Sequence, residues 1–236
     1  MEDIDAIAVL QEPVRRRLYD YVAAQGREVS RNEAAEAAGV ARTLAAHHLD
    51  RLTEAGLLEC ASRRLTGRSG PGAGRPAKVY TRARAERSVS LPARDYRTAA
   101  ELLAEAAEQA GLDPELCAAA RRRGEALRGS ATSCGSLEEA AAMLAARGYE
   151  PRLEGVEGAE GAAGRGMEAA ESTAPVVRMR NCPFHAVAQR FPPLVCGMNL
   201  ALLEGLLGTD GPVRARMDPR PGECCVVVEP SKNNAD

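Results

Sequence analysis

The 236 residues carry a formal net charge of −2, with 45% hydrophobic and 27% charged side chains, the balance of a globular chain with a core to bury. Aromatic residues make up only 3% and Trp is absent, so the core rests on Leu, Val and Ala, which favours helices over a large sheet. Apolar runs fall short of the roughly eighteen residues that a membrane span needs, and the acidic start is unlike a signal peptide; with seven cysteines, an odd number, the expectation is a cytoplasmic chain with reduced thiols or metal ligands.

The spacing of Val14, Leu18, Tyr21 and Val22 predicts a first helix over 12–24. Ser30 and Glu33 form a capping box ahead of a short helix, 31–38, which stops at Gly39. A third helix is predicted over 41–55, ending at Gly56. Two short strands follow, 57–62 and 77–81, around a Gly-, Pro- and Arg-rich tip. This order is that of a winged helix-turn-helix domain, placed at 1–92.

Beyond it, 90–111 reads as a long amphipathic helix with Tyr96, Leu103 and small alanines (Ala99, Ala100, Ala106, Ala107) suited to close packing. Helices near 114–128 and 136–147 complete a helical connector and expected dimerisation region, 93–148. Residues 149–232 read as an α+β cysteine-containing sensor domain. Its predicted strands are 149–154, 176–181, 213–218 and 224–229, with a helix over 185–207 interrupted near Phe191-Pro192-Pro193 and a Gly/Ala/Glu loop between the first two strands. The fold class is therefore mainly α with small β.

Residues 1–94 hold 16 basic and 12 acidic side chains, whereas the rest hold 15 and 21. Within 60–94 there are nine basic groups and one acidic, the mark of a surface that meets a polyanion. In the third helix Ala45, Leu49 and Leu52 form an inward stripe, leaving Arg42, Thr43, Ala46, His47 and Arg51 as candidate DNA readers. Arg63, Arg64, Arg68, Arg75 and Lys78 of the hairpin are candidate phosphate contacts. An amphipathic helix with a solvated polar face would explain the third helix taken alone. The capped helix before it, the Gly39 turn and the basic hairpin favour DNA. The Gly-rich tip is no P-loop, since it lacks the Lys-Ser/Thr ending and precedes a strand.

Four cysteines, Cys182, Cys196, Cys224 and Cys225, cluster in the last quarter, with His185 three residues after the first. Thiolates with an imidazole suit a soft metal or an iron–sulfur cluster, or zinc, although close C-x2-C pairs are missing. As strand neighbours, Cys224 and Cys225 are expected on opposite faces, so that only one is a ligand. Cys60, Cys117 and Cys134 read as small buried hydrophobes. A Cys182/His185 nucleophile pair lacks a third orienting group, so an enzyme is not expected.

Residues 8–82, through EPVRRRLYDYV, VSRNEAAEAAGVARTLAAHHLDRLTEAGLLE and GRSGPGAGRPAKVY, resemble the ArsR-like winged helix regulators of actinobacterial type. That resemblance implies a homodimer reading a palindromic double-stranded DNA operator. The NCPF…C…C layout behind a winged helix is similar to the SufR family of iron–sulfur repressors. It implies a [4Fe-4S] cluster with Cys182, Cys196 and Cys224 as ligands. The further cysteine often found in that family is missing here, which leaves His185, Cys225 or an outside molecule as the fourth ligand. The resulting expectation is a redox- or iron-sensing repressor, the alternative being a winged helix regulator of a small organic ligand or zinc with structural cysteines.

Overall fold

A computed structural model describes residues 2–63, 76–155 and 174–231. The chain forms two compact units, Met1–Arg94 and Asp95–Asp236.

The first unit begins with α1 (Glu2–Ala8) and a 3-10 turn at Val9–Gln11, neither of which the sequence pattern announces. Helix α2 (Pro13–Gln25) starts where the Glu12 carboxylate accepts from the backbone N–H groups of Val14 and Arg15 at 3.1 and 2.6 Å, with Pro13 in the first turn. A two-residue strand, β1 (Val29–Ser30), leads into α3 (Arg31–Ala38), opened by the Ser30/Glu33 capping box. Gly39, at φ 65°, takes the left-handed conformation that turns the chain towards α4 (Arg42–Glu54). Strands β2 (Leu58–Arg63) and β3 (Ala77–Arg82) pair antiparallel, with β1 on the other edge of β3. Three helices against a hairpin make a helix-turn-helix with a wing.

Leu18 and Val22 of α2, Ala34 and Ala35 of α3, Ala45, Leu49 and Leu52 of α4, and Leu58 and Tyr80 of the hairpin form one core. Each fully buried Leu contributes on the order of 1.5–3 kcal/mol. The predicted inward stripe of α4 is thus the buried one. His48, beside it, is buried too, with Nδ1 accepting from Arg15 at 3.4 Å; burial lowers its pKa, against the pull of Glu12.

One polar knot fixes α4 against the wing. Asp50 accepts from Arg31 Nη2 at 2.9 and 3.0 Å, from Lys78 Nζ at 3.0 Å and from the Tyr80 hydroxyl at 3.0 Å. Arg31 Nε also donates to the Tyr80 oxygen at 2.8 Å. Burial by itself would raise the pKa of Asp50, but the hydrogen bonds from Lys78, Tyr80 and Arg31 outweigh it and hold the carboxylate below its ordinary value. The stability this group contributes is present above its unfolded value, about pH 4, and is lost as pH falls through the lowered folded value.

The second unit starts with α5 (Tyr96–Gln109), α6 (Asp113–Arg128) and α7 (Leu137–Ala145). Strands β4 (Pro151–Glu154) and β5 (Val176–Met179) follow, then α8 (His185–Ala188) and α9 (Pro192–Leu207). The predicted break near Phe191 therefore separates two helices. Strands β6 (Val213–Met217) and β7 (Val226–Pro230) complete an antiparallel sheet of order β4-β5-β7-β6. Leu137, Ala140 and Leu144 of α7 and Leu203, Leu206 and Leu207 of α9 cover Val177, Met179, Val226 and Val228 of the sheet.

Helix α9 is apolar nearly all round, as a helix enclosed by its own unit must be. It crosses α6 where glycine meets glycine. A Cβ on Gly124 would strike the carbonyl oxygen of Leu202, and one on Gly205 would strike that of Arg121. The contact is backbone against backbone, so no rotamer change relieves it.

Alanine is a better helix former than glycine by about 1 kcal/mol. Even so, Gly205→Ala and Gly124→Ala should each destabilise the chain by about 1–3 kcal/mol through overpacking, read from denaturant unfolding. A neutral or stabilised Gly205→Ala would contradict the close crossing. In the first unit, Asp50→Ala should cost about 1–3 kcal/mol, because Arg31 and Tyr80 lose their common acceptor. A loss within about 0.5 kcal/mol, the range of ordinary surface substitutions, would mean the knot holds nothing.

Candidate nucleic-acid interface and cysteine site

Helix α4 presents Arg42, Thr43 and His47 exposed at its start, with Ala46 half-buried between them. Its N-cap is Ala41, which has no side chain able to accept from the first-turn N–H groups. The amides at this end are consequently not satisfied by a cap, and an uncapped helix N-terminus favours an anion. His47 lies with its ring 5.4 Å from that of His48.

The cations of this surface differ in what they already hold. Arg51, one turn further along, donates to Glu54 at 2.9 Å. Arg63, at the end of β2, donates to Glu28 at 2.9 Å, and Lys78 on β3 belongs to the Asp50 knot. Among the described residues Arg42 has no ion-pair partner. The exposed pairs of Arg51 and Arg63 are each worth about 0–1 kcal/mol and exchange readily for phosphate. Lys78, which the sequence offers only as a cation, has a structural task as well. Arg64, Arg68 and Arg75 lie outside the described residues, as does the tract between β4 and β5.

In the second unit Cys182, Cys196, Cys224, Cys225 and His185 line one small cavity, with Ala188, Val195, Asn199 and Glu223. Sheet pairing accounts for half of this. The Cys224 N–H donates to the carbonyl of Met179, the last residue of β5, at 2.9 Å. Cys182 comes three residues after Met179, so its thiol lies close to that of Cys224 on the same cavity. Cys196, in the second turn of α9, supplies the other half, with its Sγ 3.0 Å from Cys225 Sγ.

The expectation that Cys224 and Cys225 face opposite ways rested on a strand beginning at 224. Strand β7 begins at Val226, and the two cysteines sit in the bend before it, where strand alternation does not apply. Both therefore reach the cavity. Buried Arg178, only 1% exposed, holds this bend in place from β5. It donates to the Asp218 carboxylate at 2.5 Å and to the Asp218 carbonyl at 3.1 Å, and its Nε lies 3.6 Å from Glu223.

Two residues of the site have no metal-ligand signature. The Tyr149 hydroxyl donates to Asn199 Oδ1 at 2.5 Å, and Asn199 Nδ2 donates to Cys224 Sγ at 3.4 Å. Asn199 stands three residues after Cys196, on the same helix face, and a buried amide in an otherwise apolar helix is the signal that points to it. The Cys182 hydrogen bond first, then N–H groups that include those of Val226 and Asn199, lower the Cys224 pKa against its burial. Cys196 is pushed up to about 12, by burial and then by its bond to Cys225. Cys224 is thus the thiol of the group whose pKa is drawn down.

The donor set is that of a soft metal or an iron–sulfur cluster, and four thiols at one cavity fit it chemically. The thiols are paired two by two, however. Among the described residues no three or more His, Cys, Asp or Glu already stand as ligands around a common point. His185 is exposed, and its Nε2 lies 3.0 Å from the Gln189 amide. Of the remaining cysteines, Cys134 is buried as expected and Cys117 is half-buried. Cys60, expected to be buried, is exposed, although it pairs with buried Tyr80 on β3.

Residues 10–61 match a family described as a helix-turn-helix domain, a segment that runs from just before α2 into β2. No curated protein and no solved structure matches the chain. Among the described residues no helix is long and apolar enough to cross a membrane. The helix-turn-helix is a DNA-binding domain, and the chain that carries it is a DNA-binding transcription regulator.

Proposed function

We propose that this regulator is a repressor that reads a palindromic operator as a homodimer and reports redox or iron status through a cluster at its cysteines. The observation that carries the DNA-reading half is the start of α4, where Arg42, without an ion pair among the described residues, stands exposed beside uncapped amides. Arg42 is suited to a bidentate bond with guanine, and Thr43 or Ala46 to a thymine methyl group. His47 and Arg51 extend the same face, while Arg63 and the wing supply phosphate contacts.

The dimer reading is supported by α5, which has no buried residue and exposes Tyr96, Leu102 and Leu103, the last two at 61% and 72%. Such a contiguous apolar helix face marks an interaction surface. A second copy suits it, because a palindrome requires two reading heads about one DNA turn apart, roughly 34 Å. The inner side of α5, through Ala104 and Ala107, packs against Phe191, Leu194 and Val195 of α9 and the residue before it. Helix α5 thus connects an apolar outer face to the helix that carries Cys196.

Cys182, Cys196 and Cys224 would hold the cluster, with Cys225 or His185 completing the set. When bound, an iron–sulfur cluster supplies a centre whose oxidation or loss depends on oxygen and iron. The chain's own part is to deliver the thiolates: Asn199 orients Cys224, Tyr149 orients Asn199, and Arg178 anchors the bend. Zinc would use the same thiols and is the alternative. The cavity, of about 40 Å³, is well under the roughly 300–1,000 Å³ of small-molecule pockets, which counts against an organic effector.

On a sequence enriched from a random duplex pool, Arg42→Ala should weaken binding by about 1–3 kcal/mol and leave binding to unrelated DNA nearly unchanged. Equal loss on both would remove Arg42 from base reading. The chain purified without oxygen should contain iron and acid-labile sulfide, and Cys182→Ser should lose both while staying folded. Zinc without sulfide would replace the cluster by the alternative, and neither metal would end the metal reading.

A further inference from the structure

The pairing of the thiols suggests chemistry of their own. Cys196 Sγ and Cys225 Sγ stand 3.0 Å apart, closer than two unbonded sulfurs in van der Waals contact and about 1 Å from the disulfide length of roughly 2.05 Å. One sulfur is on a helix packed into the unit and the other on the bend before β7, 29 residues later. Their exposure differs: Cys196 is buried, and Cys225 is partly open to solvent.

We propose that Cys196 and Cys225 form a reversible intramolecular disulfide, with Cys225 as the sulfur that meets the oxidant and Cys196 as the resolving thiol. The oxidant is a hydroperoxide. The Cys225 sulfur attacks the terminal peroxide oxygen, the O–O bond breaks, and the products are a sulfenic acid on Cys225 and one water or alcohol. The Cys196 sulfur then displaces the sulfenic oxygen, which leaves as water with the Cys196 proton, and the S–S bond forms. Two thiols are oxidised by two electrons and one peroxide is reduced. A dithiol reductant reverses the reaction.

The neighbouring pair, Cys182 and Cys224, is placed for something else. Cys224 is buried and accepts from Asn199, so its sulfur is already engaged. The disulfide pins the start of α9 to the foot of β7 and withdraws Cys196 from the metal-ligand set. That consequence rests on the cluster reading, since it makes disulfide and cluster mutually exclusive. The bond itself does not.

The test uses the full chain, freed of metal with a chelator and reduced without oxygen, then exposed to one equivalent of hydrogen peroxide. Free thiols are alkylated at low pH, and the digest is sequenced by tandem mass spectrometry without reduction. The expected product is a Cys196–Cys225 link, two hydrogens lighter than the dithiol and reversed by dithiothreitol. Cys182→Ser should retain the link, whereas Cys225→Ser and Cys196→Ser should each lose it. A dominant Cys182–Cys224 or intermolecular link would overturn the proposal, as would sulfinic acid on Cys225 beside alkylated Cys196. Iron content measured on the untreated chain keeps the two readings apart. A chain that holds iron but forms no link overturns the disulfide alone, and one that forms the link but never holds iron overturns the cluster alone.

Discussion

The reading head depends on one carboxylate. Asp50 lies on the recognition helix α4, yet its partners come from α3 and from β3, so a single group sets the position of the helix relative to both its preceding helix and its wing. The apolar core beneath presses these elements together but has no direction of its own. Hydrogen bonds to Arg31, Lys78 and Tyr80 supply the direction. The acidic residue on a DNA-facing helix, which would otherwise repel phosphate, is neutralised in the same arrangement.

The second unit reaches its chemistry by a different route. Pairing of the Cys224 backbone with the end of β5 brings Cys182 and Cys224 to one cavity, and the glycine crossing of α6 and α9 seats the helix that delivers Cys196. Strain or loss at the sulfurs is therefore felt by the ends of the two central strands and by α9 together. The apolar inner side of α5 packs on that same helix, so the element most exposed to a partner is one contact away from the thiols.

Most of the fold was legible because it is written in short-range patterns. The Ser30/Glu33 box, the Gly39 turn, the stripe of Ala45, Leu49 and Leu52, and the prolines that open α9 are all local signals, and most elements formed within a residue or two of their predicted places, whereas α5 starts at Tyr96 and not at 90. Helix α1 and strand β1 were missed because seven and two residues are too few to show a period. The site was less legible for a physical reason. That Lys78 is held by Asp50, 28 residues away, or that Tyr149 and Asn199 support Cys224, depends on tertiary pairing that no window of sequence contains. For Cys225 the error was local: a strand start displaced by two residues exchanged a face for a bend.

Under the proposed function, the state of the cysteine site sets the affinity of the reading head. A bound group can shift such an equilibrium only by its differential affinity for two states, and couplings of this kind are typically about 1–3 kcal/mol, or 5- to 150-fold. The direct measurement is the affinity of one preparation for its enriched duplex, purified without oxygen, before and after its metal is removed by a chelator, at fixed salt. The account predicts a change of at least about fivefold, with dimerisation and fold retained. Identical affinities in the two states, with metal shown to be present and then absent, would contradict it.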